Sequence, residues 1–329
     1  MKIKRRVFVR QAVWGMAGLS FSGTLLSACK GSTDHTGSNG LDTGIGIQLY
    51  TLREQLAEDV KSTLQKVADI GFNHVETFGL QLEDAAARFW NVALGDLSKL
   101  LTDLGLKTYS GHYDLSAYLT KGVGDEDGLK RQLEVAAQLG QSYLIVPVPP
   151  FQLIDKLTAD DFKFMAEQLN KAGELAKASN INVGYHNHFW EFRDLGDGLL
   201  GYDILLDDTD ASLVVFEPDL FWLAKSGVDA VAYFDKYPGR FPLWHVKDVD
   251  KSKDKVIVGG DLDKQPSMSL LGDIAYTEVG SGTIDFQAIY AEREKAGLKL
   301  AFAEQDTIKG DAFESIDKSY NYIKHEIFK

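Results

Sequence analysis

The feature that most limits how this chain folds is a regular alternation of short apolar runs with longer amphipathic stretches from Ile45 to the C-terminus. Eight runs read as strands: 45–50, 74–78, 106–112, 142–148, 181–188, 213–217, 241–246 and 299–304. Apolar residues at helical spacing predict helices at 56–70, 97–104, 128–139, 160–179, 228–237 and 312–327. Gly71, Gly105 and Gly140 stop the first three. Parallel strands that alternate with helices close most economically as an α/β (β/α)8 barrel, with reactive groups on the carboxyl ends of the strands. An open doubly wound sheet usually carries a glycine-rich phosphate loop after its first strand, and Tyr50-Thr51-Leu52-Arg53-Glu54 is not one. Gly280-Ser281-Gly282 reads as a turn into a helix capped by Thr283 or Asp285. Residues 251–278 are long for a strand-to-helix connection. They read as a lid, a contact between copies of the chain in a homo-oligomer, or a surface insertion.

The first residues follow a different rule. Lys2, Lys4, Arg5, Arg6 and Arg10 precede an uncharged apolar run from Ala12 to Leu26, the pattern of a secretory signal. Lys4-Arg5-Arg6-Val7-Phe8-Val9-Arg10 resembles a twin-arginine export motif, and Leu26-Ser27-Ala28-Cys29 resembles a bacterial lipobox whose cysteine is lipidated. The expected organisation is a signal peptide over 1–28, a flexible tether over 29–43 and a catalytic barrel over 44–329. That predicts an exported lipoprotein, periplasmic or outer-membrane-associated, held to the membrane by its N-terminal lipid. Cys29 is the only cysteine, so no internal disulfide can form. Removal of residues 1–28 deletes five cations and no acids, taking the formal net charge of −13 to −18. So acidic a surface repels phosphate backbones and argues against a nucleic-acid partner.

Four strand ends carry metal-competent side chains. They are His186 and His188 with Glu191, then Glu217-Pro218-Asp219, then His245-Val246-Lys247-Asp248, then Glu304-Gln305-Asp306. Singly, each has an unremarkable reading. A histidine on an apolar strand is more often packed or supporting, neighbouring carboxylates often cap backbone, and Lys247-Asp248 reads equally as an ion pair at the barrel rim. Convergence of four independent strand ends changes that weighting.

Tyr185-His186-Asn187-His188, Glu191-Phe192, Glu217-Pro218-Asp219-Leu220-Phe221-Trp222, Gly227-Val228-Asp229, Gly239-Arg240 and His245-Val246-Lys247-Asp248 together resemble the sugar phosphate isomerase/epimerase family of xylose isomerase-like TIM barrels. The resemblance implies a metal site with Asp219, His245 and Glu304 as ligands from strands six, seven and eight. Strand five departs from the family pattern, with His186 where epimerases usually carry Glu, so the fourth ligand is His186, His188 or Glu191. Two imidazoles with two carboxylates suit Mn²⁺, Co²⁺, Zn²⁺ or Fe²⁺ better than Mg²⁺.

The implied chemistry is removal of a proton next to a sugar carbonyl through an enediolate, giving isomerisation or epimerisation. Glu191 or His188 is the expected base, Lys247 the partner of the developing oxyanion, and Glu304 both ligand and base. His112, Trp222 and Glu217 are expected to shape the substrate site. No Lys/Arg cluster is visible beside these residues, which points to a free sugar or keto-sugar rather than a sugar phosphate. The same site would also serve a lyase that eliminates the leaving group of a 3-keto-glycoside. A reading from another class is a sugar-binding lipoprotein that has lost the chemistry.

Overall fold

The computed structural model describes residues 44–83 and 86–329. The signal, the tether and the lipidated Cys29 lie outside the described residues. Eight parallel strands form one sheet: β1 (Ile45–Gln48), β2 (His74–Thr77), β3 (Lys107–His112), β4 (Tyr143–Val146), β5 (Asn182–His186), β6 (Val214–Glu217), β7 (Leu243–Val246) and β8 (Leu300–Ala303). Their order is β7-β8-β1-β2-β3-β4-β5-β6. A parallel bridge between Asp219 and His245 joins the two ends and closes the barrel. The outer layer includes α1 (Val60–Ile70), α2 (Leu94–Asp103), α3 (Glu126–Gln138), α4 (Ala159–Ala176), α5 (Gly201–Asp208), α6 (Ala230–Lys236), α7 (Phe286–Ala291) and α8 (Ala312–Tyr322). The strands fall where the hydrophobic pattern places them, as do the outer helices other than α5, although the expected helix over 56–70 is broken at Asp59 into Arg53–Glu58 and α1.

Local chemistry accounts for the helix ends. In α4 the Thr158 side chain accepts from Asp161 N–H while the Asp161 carboxylate accepts from Thr158 N–H, a reciprocal capping box. Phe162, Met165, Ala166, Leu169, Ala172 and Ala176 then bury one stripe of that helix. Gly71, with φ of 116°, ends α1 in the left-handed region where a side chain would be strained.

The period-two alternation of the strands divides the barrel. On β8, Ala301 and Ala303 pack in the outer core, while Leu300 and Phe302 join Ile145 and Leu243 in a separate apolar plug. Gly46 makes room for that plug, since a Cβ there would lie 2.3 Å from the Phe302 ring. One step above, the same alternation delivers Gln48, Glu76, His112, His186, Glu217, His245 and Glu304 as a polar layer. The register pairs Gln48 with Glu76 and His186 with Glu217.

Three features were not legible in the sequence. Residues 80–93 form a small antiparallel sheet after β2. Leu220–Lys225 is a short helix after β6, and Gly201–Asp208 is the helix after β5. The 251–278 insertion pairs with the barrel through Asp248–Val249 against Tyr276–Thr277. It is pinned from beneath by fully buried Lys225, whose ammonium donates to the carbonyls of Lys253, Lys255 and Asp273.

Candidate active site

At the carboxyl ends of the strands the polar layer forms the floor of a cavity of about 890 Å³. Lys247, Glu304, Asp306, His112, His186 and His188 reach its surface, while Glu76, Glu217, Asp219 and His245 lie fully buried beneath. The insertion forms one wall of the cavity through Met268, Leu271, Ile274, Ala275 and Tyr276.

Two layers of hydrogen bonds set the orientation of the imidazoles. His245 Nε2 lies 2.7 Å from Glu76 Oε2 and 3.2 Å from Glu217 Oε2, and His186 Nδ1 lies 3.2 Å from Glu217 Oε2. Carboxylates only accept, so these nitrogens carry the protons. The opposite nitrogens, His245 Nδ1 and His186 Nε2, turn toward Glu304 Oε2 at 2.8 Å and Asp219 Oδ2 at 3.7 Å. Two lone-pair groups 2.8 Å apart repel unless a proton or a cation lies between them. Donor atoms of His186, Asp219, His245 and Glu304 all lie within 4.8 Å of one another. Side-chain atoms of His112, His186, Glu217 and His245 lie within the same 4.8 Å of one another, but there the imidazole N–H groups donating to Glu217 already supply the contacts.

The charges at the floor are unbalanced. Glu76, Glu217, Asp219, Glu304 and Asp306 converge on it, against the Lys247 ammonium, His112 and His245, whose imidazole Glu217 and Glu304 hold well above its ordinary pKa despite burial. Lys247 lies 2.9 Å from Asp219, 2.7 Å from Glu304 and 3.2 Å from Asp306. Burial disfavours its charge, but these carboxylates outweigh burial and hold its pKa well above the ordinary lysine range. Burial likewise opposes His112, yet Glu76 and Glu217 push it up to about 9, an imidazolium at neutral pH. Asp219 uses Oδ1 to cap the helix after β6 by accepting from Trp222 N–H at 3.0 Å. Its Oδ2 and Glu217 Oε1 are buried without a hydrogen-bond partner, the Lys247 contact to Oδ2 being an ion pair off the bonding direction. Two carboxylates and two imidazoles facing each other in a buried, acid-rich floor fit a divalent cation.

The fold separates the two expected bases. His188 reaches the cavity, stacks on Trp190 with ring centres 4.5 Å apart, and leaves Nδ1 unpartnered. Burial, then the charge of Lys247, depress its pKa well below the ordinary value, so it stands as the neutral acceptor form. Glu191 instead turns away from the cavity. Tyr185 O–H donates to it at 2.6 Å and His188 N–H at 2.9 Å, so it braces the β5 corner. The 3-10 turn at Trp190–Phe192 directs it there.

Other expectations change on contact with the geometry. Glu217 and His112, taken as substrate-shaping groups, are part of the orienting layer, although His112 also touches the cavity. Asp248 does not pair with Lys247. Its buried carboxylate accepts the N–H groups of Gly280, Gly282, Thr283 and Ile284, and Asp285 caps α7. No cationic cluster is visible in the sequence, yet Arg53 and Lys309 both reach the cavity wall. Glu76 escaped notice although it stands at the end of β2, where the same rule identified Asp219 and Glu304. Gln48 Nε2 at 2.7 Å and the Ser110 hydroxyl hold its carboxylate. Asp306, named with Glu304 in the sequence but without a role, accepts from Lys247, and Tyr276 of the insertion, which the pattern does not single out, lies against the same ammonium.

A sequence profile of the xylose isomerase-like TIM barrel family matches residues 64–299, and the chain belongs to that family. Among its relatives is an inosose dehydratase of Clostridium tetani, 33% identical over 187 residues. That match covers 54% of this chain and 59% of the relative, so the chain spans little more than half of that protein's length. The crystal structure of a sugar phosphate isomerase/epimerase from Parabacteroides distasonis superposes with a TM-score of 0.71 at 26% identity, covering 88% of this chain and 97% of that one. A crystal structure of the IOLI protein with a bound zinc atom shares the fold at 13% identity and a TM-score of 0.63, covering 85% and 97%.

Proposed function

We propose that this chain is an enzyme of the sugar isomerase, epimerase or lyase type that removes a proton from the carbon beside a carbonyl. The observation that carries this reading is the convergence of His186, Asp219, His245 and Glu304 beneath a cavity that Lys247 and His188 enter. These four residues would hold a divalent cation of the Mn²⁺, Co²⁺, Zn²⁺ or Fe²⁺ group. When bound, it supplies Lewis acidity toward the substrate oxygens. The zinc atom in the IOLI structure agrees with that assignment.

The side chains divide the remaining work. Neutral His188, whose ring lines the cavity, is the base this geometry favours for the carbon-bound proton. Lys247 stands ready to stabilise the negative charge that develops on the carbonyl oxygen, and Asp306 with Tyr276 holds its head group in place. The apolar plug below and the Trp190 and Trp222 rings beside the site exclude water.

After the proton leaves, its return to the neighbouring carbon or to the opposite face gives isomerisation or epimerisation. Loss of a β-hydroxyl, which takes up a proton and departs as water, gives dehydration, the reaction named for the Clostridium tetani relative. Loss of the aglycone from a 3-keto-glycoside has the same first step. The test is solvent exchange. Protein loaded with Mn²⁺ or Zn²⁺ in D₂O should place deuterium beside the carbonyl of at least one member of a panel of keto-sugars and inososes, read by NMR. Absence of exchange and turnover across the panel would remove this reading.

The proposal also places the enzyme outside the cytoplasm, anchored through Cys29. The charge pattern of residues 2–10 and the lipobox-like run before Cys29 support it. Labelling of cells with a palmitate analogue should mark the wild type and leave Cys29→Ser unmarked.

A further inference from the structure

The cavity has two chemically different ends. Its floor is ionic, with Lys247, Glu304 and Asp306. Beside the floor, the rings of His188, Trp190 and Trp222 line the cavity, His188 stacked on Trp190 and tilted against Trp222. Flat rings beside charged groups suit a polyhydroxylated ring, which offers an apolar face to the rings and hydroxyls to the ionic floor.

Toward the mouth, exposed apolar side chains gather beside Arg53, whose guanidinium lies 4.6 Å over the Tyr50 ring. Six large hydrophobic side chains stand exposed among the described residues, and three of them, Tyr50, Phe151 and Met268, line this cavity at 40%, 49% and 56% exposure. They come from three separate segments: the turn after β1, the loop after β4 and the insertion. Phe78 meets Tyr50 edge-on at 5.2 Å, and Phe151 meets Trp190 edge-on at 6.4 Å. Scattered exposed hydrophobics need no explanation, but gathering half of them around one opening does. The volume of about 890 Å³ also lies near the upper end of the roughly 300–1,000 Å³ typical of small-molecule sites. A single sugar ring seated on the floor leaves the outer part of that space unfilled.

We propose that the cavity takes a two-part substrate, a glycoside whose hydroxylated ring meets the floor and whose planar apolar aglycone lies against Tyr50, Phe151 and Met268. This rests on the reading that the floor handles a sugar, and it adds the class of substituent that the sugar carries. Aromatic and thioether side chains at the mouth favour a flat apolar group because both surfaces leave water on contact.

The experiment compares methyl and 4-nitrophenyl glycosides of the common hexopyranoses, with 4-nitrophenol alone and hexose 6-phosphates as controls. Calorimetry on the metal-loaded protein reads the affinities. For at least one sugar, the aryl glycoside should bind about tenfold or more tightly than its methyl partner. Phe151→Ala and Met268→Ala should each reduce that advantage and leave methyl glycoside binding and metal content unchanged. Both side chains are solvent-exposed, so neither change threatens the core. Equal affinity of the paired glycosides, or an aryl advantage that survives both substitutions, would overturn the proposal. So would 4-nitrophenol binding as tightly as its glycoside, or a preference for hexose 6-phosphates drawn by Arg53 and Lys309. Failure to bind both these glycosides and the keto-sugars of the exchange panel would instead strike the reading of the floor on which the proposal rests.

Discussion

Asp219 and His245 face each other across the seam between β6 and β7, where His245 N–H donates to the Pro218 carbonyl at 3.0 Å and closes the barrel. Two side chains of the proposed cation site therefore sit on the closure itself. Backbone atoms make the seam, and Asp219 Oδ1 caps the helix after β6, so only Oδ2 is left for a ligand. Asp219→Asn keeps an oxygen for the cap and removes the charge. The variant should fold with an unchanged circular dichroism spectrum. Its affinity for Zn²⁺ or Mn²⁺ should fall by at least the roughly 10–100-fold seen on losing an outer partner of a metal ligand. Full metal content by elemental analysis would count against Asp219 as a ligand.

Glu217 supports a different prediction, because it orients imidazoles rather than completing the donor set. Its Oε2 lies within 3.2 Å of His112, His186 and His245 nitrogens. Glu217→Gln keeps the shape but loses the charge that three ring nitrogens share. Metal stoichiometry should stay at the wild-type value while affinity weakens about tenfold, measured by competition with a chelator. A halved stoichiometry would show that Glu217 is itself a ligand of a second ion.

His186, Asp219, His245 and Glu304 were legible because a barrel turns strand ends in the sequence into neighbours in space. The supporting layer was harder to read. Glu76 comes from a strand recognised by its apolar pattern, and only the closed barrel brings it 2.7 Å from His245, far away in the chain. Glu191 shows the converse, since closeness in sequence to His188 said nothing about the direction a 3-10 turn would give it. The antiparallel strands of 80–93 are four residues long or shorter, too short for periodicity to separate them from loop. For the 251–278 insertion, sequence left lid, contact and decoration equal. Its place in the cavity wall follows from Lys225, a lysine that reads as surface until the fold buries it.

Lys225→Met tests that support. The change keeps the apolar stem and removes the ammonium, leaving the carbonyls of Lys253, Lys255 and Asp273 without their shared donor. A hydrogen bond from a charged group is worth roughly 1.5–3 kcal/mol, so a local loss of about that size is expected. Hydrogen exchange should quicken in 253–276 with β-strand protection unchanged. KM should rise more than kcat falls, because the wall loosens while the floor stays intact. Uniformly faster exchange across the barrel would mean that Lys225 supports the whole fold rather than the insertion.

Glu191 gives the pH dependence of stability. Burial raises its carboxyl, only partly offset by Tyr185 and the His188 N–H, to about 7. An unfolded glutamic acid titrates near 4.3. The folded protein therefore holds this proton more tightly, and the stability it contributes is fully present below about pH 4.3. That contribution declines as pH rises and is lost once pH passes about 7. One pKa unit corresponds to about 1.4 kcal/mol, so the decline is of order 4 kcal/mol. Glu191→Gln removes the titration, since an amide stays neutral throughout. Urea midpoints measured from pH 5 to 8 should fall more steeply for the wild type than for the variant, and the two profiles should run parallel above about pH 8. Parallel profiles across the whole range would mean that Glu191 stays ionised in the folded protein.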